Sequence, residues 1–242
     1  MTARTTPVQL EQLAGFSVCE LADALAKLGG GVGHYLPDLE RFSGDADKTV
    51  VGEVFTVEMV DGRDTEAPKL SGNYVDHAEP GSIVFISTPP DVKSASLGGL
   101  LATALKHKDV KGLVSSGRVR DLAELRALDF PTWARGHSIL GQSPWTRVSR
   151  VQVPVVYPFS APSPSGPSPA SASSPSNSPP PATINPYDLI ACDVDGVLVF
   201  PPRVVGKVIE LAKKGKEVDE RCRADLLEGK GVAETFKKYR GK

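Results

Sequence analysis

This 242-residue chain is poor in cysteine, and its three cysteines are badly spaced for metal or disulfide chemistry. Cys19, Cys192 and Cys222 are odd in number, far apart and without CxxC spacing, so a reducing compartment is expected. The four histidines, His34, His77, His107 and His137, share no metal-ligand spacing, and each reads as structural or solvated. No apolar run approaches the ~20 residues needed to span a bilayer, which argues against a membrane role. The start, from Met1 to Pro7, lacks the apolar core of a secretion signal, and a cytoplasmic protein is expected. Neither sign of charge is in excess: 28 Lys and Arg face 29 Asp and Glu. That balance removes the basic field on which nucleic-acid binding depends. What remains has the composition of an ordinary globular protein, long enough for one large domain or two small ones.

Local patterns place the elements. Ser17-Val18-Cys19-Glu20 is a capping box, and its helix runs to about Lys27, before Gly29-Gly30-Gly31. Val50 to Val60 alternates as a strand, with Gly52 as a possible bulge. Ser82 to Ile86 is a buried strand, Gly99 to Lys108 a helix and Gly112 to Ser115 a strand. Their close succession predicts a βαβ crossover and a partly parallel sheet. Leu122 to Leu128 reads as a short helix, and Pro131 to Ala134 and Val151 to Val156 as strands. Asp188 to Cys192 and Val197 to Phe200 read as a hairpin, followed by two helices, Arg203 to Lys214 and Lys216 to Glu228. Cys19 and Cys192 read as core residues. Residues 160–182 are almost entirely Ser, Pro and Ala, too polar and stiff to bury a core, and read as a disordered insertion within one domain of residues 1–242.

The most informative stretch is Gly98-Gly99-Leu100-Leu101-Ala102-Thr103, followed by Leu113-Val114-Ser115-Ser116-Gly117-Arg118-Val119-Arg120-Asp121. It reads as glycines, helix, loop, buried strand, then an arginine and an aspartate side by side. A helix start offers unpaired N–H groups to an anion. Arg120 offers a permanently charged fork for a carboxylate or enolate oxygen. Asp121 offers a hard oxygen to Mg²⁺ or Mn²⁺. Together these groups can hold a small 2-oxo acid and stabilise the charge formed when it loses a carbon–carbon bond. No lysine is singled out as a Schiff-base nucleophile, which favours a metal route over an imine route.

These segments resemble the RraA-like family, which includes the 4-hydroxy-4-methyl-2-oxoglutarate/4-carboxy-4-hydroxy-2-oxoadipate aldolases. The resemblance begins at Pro80-Gly81-Ser82-Ile83-Val84 and continues through both stretches above. It takes in Ala134-Arg135-Gly136 and ends at Asp193-Val194-Asp195-Gly196-Val197-Leu198-Val199-Phe200-Pro201. It implies an α/β fold, a swivelling β/β/α domain with a mixed sheet and C-terminal helices, assembled as a homotrimer or homohexamer with sites at subunit interfaces. It implies a divalent-metal-dependent lyase that releases pyruvate, by aldol cleavage or oxaloacetate decarboxylation. On that reading Arg120 binds the pyruvyl oxygens and Asp121 the metal. Gly98, Gly99, Leu100 and Leu101 form the substrate-binding helix start, with the Leu100 and Leu101 amides on the substrate carboxylate. The chain departs from the aldolase pattern at Gly99, where that pattern places an acid. An acid from the C-terminal helix, Asp219 or Glu220, is implied across the interface. Other members of the family are non-catalytic regulators of a bacterial ribonuclease, the alternative function.

Blander readings compete. Asp121-Leu122-Ala123-Glu124 fits a capping box for the next helix. Arg118 and Arg120 fit surface salt bridges, and Gly98 and Gly99 fit loop glycines. Leu189 to Leu198 resembles the first motif of the haloacid dehalogenase phosphatases, but only 46 residues follow Gly196, too few for that fold. A turn at Asp195-Gly196 closing a hairpin explains the same letters.

Overall fold

The computed structural model describes residues 4–29, 33–157 and 181–241. The elements run α1 (Pro7–Ala14), α2 (Val18–Ala26), β1 (His34–Tyr35), β2 (Glu40–Ser43), β3 (Val50–Asp61), α3 (Tyr74–His77), β4 (Ile83–Ser87) and β5 (Ala95–Leu97). They continue with α4 (Gly99–His107), β6 (Gly112–Val119), α5 (Leu122–Leu128), β7 (Thr132–His137), β8 (Thr146–Val151) and β9 (Val155–Tyr157). The chain ends with β10 (Ala182–Ile184), β11 (Leu189–Cys192), β12 (Val197–Phe200), a 3-10 turn at Pro202–Val204, α6 (Val205–Leu227) and α7 (Val232–Arg240).

Ten strands form one mixed sheet in the order β1-β12-β11-β3-β4-β6-β7-β2, with β5 beside β6 and β8 beside β3. Adjacent strands among β3, β4, β6 and β7 run parallel. The β11–β12 hairpin joins antiparallel at the start of β3, and β8 joins antiparallel at its end. Strand β4 sets the layering. Ile83 and Phe85 point to one face, Val84 and Ile86 to the other, and all four are buried. A strand apolar on both faces has to be covered on both. Val84 and Ile86 pack with Leu105 of α4 and Leu125 of α5. Ile83 and Phe85 pack with Trp133 and with Val155, Tyr157 and Ile184 of the separate β9–β10 pair. A third core joins Leu13, Leu21, Val208 and Ala212 of α1, α2 and α6 to Leu189, Ala191 and Phe200 of the hairpin.

Several elements match the sequence pattern closely. The capping box of α2 is formed, with Ser17 Oγ accepting from Glu20 N–H and Glu20 Oε2 accepting from Ser17 N–H. Helix α5 and the hairpin strands fall where expected. Others differ for physical reasons. Gly52 is no bulge: it pairs in regular register with Ile190, and a Cβ there would lie 3.0 Å from Gly81 O and from Ile83 Cγ1. The glycine serves a close approach. The strand expected over 151–156 is two strands, because Gln152 takes φ 53° and trades hydrogen bonds with the Thr56 backbone. The two expected C-terminal helices are one 23-residue helix, α6, running through Gly215. Its packing on α2 outweighs the ~1 kcal/mol that an interior glycine costs. Helices α1, α3 and α7 and strands β1, β2, β5 and β10 have no counterpart in the sequence reading. Cys192 is buried as expected, but Cys19 is exposed, its Sγ 3.6 Å from Asp195 Oδ2.

The expected insertion lies outside the described residues up to residue 180. Its last residue, Ala182, is buried and pairs with Tyr157, so the flanks of that stretch sit on adjacent strands. Among the described residues no helix is long and apolar enough to cross a membrane.

Candidate active site

The site forms where two parallel strands end. Strand β5 lies beside the end of β6, pairing Leu97 with Val119, and Arg120 N–H donates to Leu97 O at 2.9 Å. The residue after β5 is Gly98, the N-cap of α4. The residues after β6 are Arg120 and Asp121, the latter at the N-cap position of α5. Two helix starts therefore share the carboxyl edge of the sheet, where open α/β sheets place their ligands.

Asp121 occupies the left-handed region, with φ 61° and ψ 43°, and its side chain makes no capping hydrogen bond to α5. The capping-box reading of Asp121 and Glu124 is thereby corrected. The backbone turn aims the carboxylate at α4 instead. Asp121 Oδ2 accepts from Gly99 N–H at 3.0 Å and lies 3.4 Å from Arg120 Nε. A negative charge there suits the positive end of the α4 dipole. The Gly99 N–H is engaged by Asp121, and the first-turn N–H groups of Leu100 and Leu101, the two amides that the resemblance implies for the substrate carboxylate, lie beyond the reach of any helical acceptor.

The two glycines are there for proximity. Gly98 has an ordinary extended φ of −134°, yet a Cβ on it would lie 2.6 Å from Asp121 Oδ2 and 3.0 Å from Arg120 Nε. A Cβ on Gly99 would overlap Glu124 Oε2. Gly141 approaches the guanidinium from another side, where a Cβ would lie 3.3 Å from Arg120 Nη1. Arg120, Asp121, Gly98, Leu100, Leu101 and Gln142 line a cavity of about 210 Å³. That is below the range of drug-sized pockets and suits an acid of a few heavy atoms.

All six residues singled out from the sequence therefore gather at one helix start. Gln142, Gly141 and Glu124 join them without having been anticipated. Glu124 alone had a signal, one helical turn beyond Asp121. Asp219 and Glu220 do not reach this cavity. They line a separate groove of about 800 Å³ with Asp193 and Asp195, and Asp219 is paired with Arg240 at 2.6 Å. Arg118 has a structural role, donating from Nη1 to His137 O at 3.0 Å. Asp193 closes the β11–β12 turn: Oδ1 accepts from Asp195 N–H at 2.9 Å and Oδ2 from Val18 N–H at 2.7 Å, at the start of α2. Both oxygens serve backbone, as the hairpin reading expects.

Among the described residues no three His, Cys, Asp or Glu side chains are grouped to hold a metal ion. A single hard carboxylate, one-third exposed at Asp121, still fits Mg²⁺ or Mn²⁺. Mg²⁺ in particular keeps several waters and takes one or two protein carboxylates plus ligand oxygens.

Residues 18–199 match the RraA-like family, described as Aldolase/RraA. This chain belongs to the RraA-like family. It is 30% identical over 174 residues to a protein of Halalkalibacterium halodurans named "Putative 4-hydroxy-4-methyl-2-oxoglutarate aldolase", covering 72% of this chain and 70% of that one. An uncharacterized protein from Pseudomonas syringae pv. tomato shares the fold with a TM-score of 0.81 and 22% identity, over 99% of this chain and 97% of its own. RraAS2 of Streptomyces coelicolor, described as an unusual member of the RNase ES inhibitor RraA protein family, matches with a TM-score of 0.71 and 20% identity, over 92% and 99% of the two chains. These two structures speak for the fold alone, and the expected RraA-like α/β architecture is the one observed. The family holds both aldolases and RNase inhibitors.

Proposed function

We propose that this RraA-like protein is a divalent-metal-dependent carbon–carbon lyase that converts a small 2-oxo acid to pyruvate. It would act as a 4-hydroxy-4-methyl-2-oxoglutarate aldolase, an oxaloacetate decarboxylase, or both. One observation carries the reading: Arg120, Asp121 and the first turn of α4 face a single small cavity. The Leu100 and Leu101 N–H groups bind the substrate carboxylate. Arg120 faces the ketone oxygen. As the bond beyond C3 breaks, that oxygen takes on enolate charge, and a fixed guanidinium binds the charged form more strongly than the neutral ketone. Asp121, held by the Gly99 N–H, is the residue that would hold Mg²⁺ or Mn²⁺. Such an ion, when bound, would supply further positive charge to stabilise the enolate.

Leu100 and Ile139 are 85% and 91% exposed, and Trp145 is 54% exposed. Leu100 lines the cavity, and Ile139 and Trp145 each lie three residues in sequence from Gln142, which lines it too. We assign these exposed apolar side chains to a contact between copies of the chain in a homotrimer or homohexamer, in which Asp219 or Glu220 of a neighbour reaches the cavity. Light scattering then gives three or six times 25.6 kDa.

The test is pyruvate release from oxaloacetate and from 4-hydroxy-4-methyl-2-oxoglutarate, with Mg²⁺ or Mn²⁺ and with EDTA. Arg120→Ala should lose about 10²–10³ in rate, the usual cost of one oxyanion donor. Asp121→Asn is the matching variant, because asparagine tolerates the left-handed backbone that alanine resists. Full activity in either variant, or no pyruvate from the wild type, defeats the proposal. The second outcome favours the family's other role, a binding protein without turnover, toward which the absence of a side chain at Gly99 also points.

A further inference from the structure

Glu124 is exposed on the first turn of α5, and its side chain lies beside Gly99 at the start of α4. The three heavy atoms nearest to a Cβ built on Gly99 all belong to Glu124: its Oε2, its Cδ at 2.8 Å and its Cβ at 3.0 Å. The Glu124 carboxylate thus fills the space where a side chain at position 99 would begin. The neighbouring Asp121 Oδ2 lies 3.0 Å from Gly99 N. Two carboxylates from consecutive turns of chain therefore converge on one glycine at the start of α4. Only one of them, Asp121, has a protein cation beside it, Arg120. No ion pair to Glu124 is present among the described residues. Carboxylate oxygens presented together are the hard donors that a divalent cation takes. Mg²⁺-type ions take one or two protein carboxylates while keeping most of their waters.

We propose that Glu124 is the second carboxylate of this site, holding the hydrated divalent cation together with Asp121. The inference rests on the metal-dependent reading above and adds a residue that the sequence marked only as half of a capping box. Glycine at position 99 is then what gives Glu124 its place.

The experiment is a titration of the full chain with Mn²⁺, following free Mn²⁺ by electron paramagnetic resonance, so that no turnover is needed. Glu124→Gln keeps the shape and removes the charge. It should weaken Mn²⁺ binding about tenfold, in the range of other residues that support a metal site, and should shrink the rise in Tm that Mn²⁺ gives the wild type. The metal-free Tm should stay within a degree or two of the wild type, since Glu124 is exposed. The double variant Gly99→Asp with Glu124→Gly moves the carboxylate to the other backbone and clears the Cβ that would lie 3.0 Å away. It should recover binding to within about threefold of the wild type. Glu124→Gln binding as tightly as the wild type overturns the inference, and so does a double variant no better than Glu124→Gly alone. If Asp121→Asn loses Mn²⁺ while Glu124→Gln does not, only this inference fails. If the wild type binds no Mn²⁺, the metal-dependent reading fails with it.

Discussion

Replacing Gly98 by alanine tests the geometry of the site with a single methyl group. The backbone accepts it, because φ is −134° and ψ 178°. The added Cβ would stand 2.6 Å from Asp121 Oδ2, 3.0 Å from Arg120 Nε and 3.3 Å from Arg120 Cγ. Ordinary contact needs several tenths of an ångström more at each of the first two. The backbone of Gly98 is pinned by the Ala102 N–H to Gly98 O hydrogen bond at 3.1 Å, so the side chains have to move. That displacement stretches the 3.0 Å bond from Gly99 N–H to Asp121 Oδ2 and turns the guanidinium. Misplacement of reacting groups by about 1 Å can cost 10²-fold in rate, which is ~2.7 kcal/mol of barrier. The stability cost is smaller, about 1 kcal/mol for alanine in place of glycine at an N-cap. Gly98→Ala should therefore lower kcat/KM for pyruvate release by about 10²-fold while shifting Tm by only a few degrees. A coupled pyruvate assay beside a thermal melt measures both. Activity within threefold of the wild type refutes the reasoning, because the methyl group then meets nothing that matters.

Three further outcomes follow from the fold. Asp225 is buried between Lys230 and Lys238, at 2.8 and 3.0 Å, and these two ammonium groups hold its carboxyl below the usual carboxylate range. Its contribution is present above the unfolded value near pH 4 and is lost as pH falls through the lower folded value. Asp225→Asn should therefore melt below the wild type at pH 7, and the gap should close as the pH is taken below the usual carboxylate range. Gly52→Ala should destabilise by about 1–3 kcal/mol through overpacking against Gly81 O and Ile83, read by urea denaturation with pyruvate release per folded molecule unchanged. Asp193→Ala should cost about 1–3 kcal/mol, since it strips acceptors from two backbone N–H groups, and an aryl-phosphate assay should be blank for the wild type and the variant alike.

Much of this arrangement could be read from the letters, and what could not has identifiable causes. The α2 capping box, α5 and the β11–β12 hairpin are specified by residues close in sequence, so local pattern suffices. The gathering of Gly98, Leu100, Leu101, Arg120 and Asp121 was legible because one βαβ crossover places both helix starts at the same sheet edge. Strand β5 was not legible: three residues, Ala95–Leu97, are held as a strand only by pairing with β6. Gln142 enters the cavity from a loop whose position depends on tertiary contacts, such as Ala95 N–H to Leu140 O at 3.0 Å. Glu124 looked like half of a capping box until the left-handed turn at Asp121 sent both carboxylates toward the neighbouring helix. The unbroken course of α6 through Gly215 follows from its packing on α2, which propensity alone does not contain.

That left-handed turn also constrains how position 121 can drift. Most substitutions there meet steric resistance from the main chain itself, whereas asparagine shares the tolerance of aspartate. One base change in an aspartate codon produces it. The least disruptive mutational step away from the present residue is thus the one that removes the charge and keeps the shape; on the proposed reading it ends turnover and leaves the scaffold intact and free to be recruited for binding.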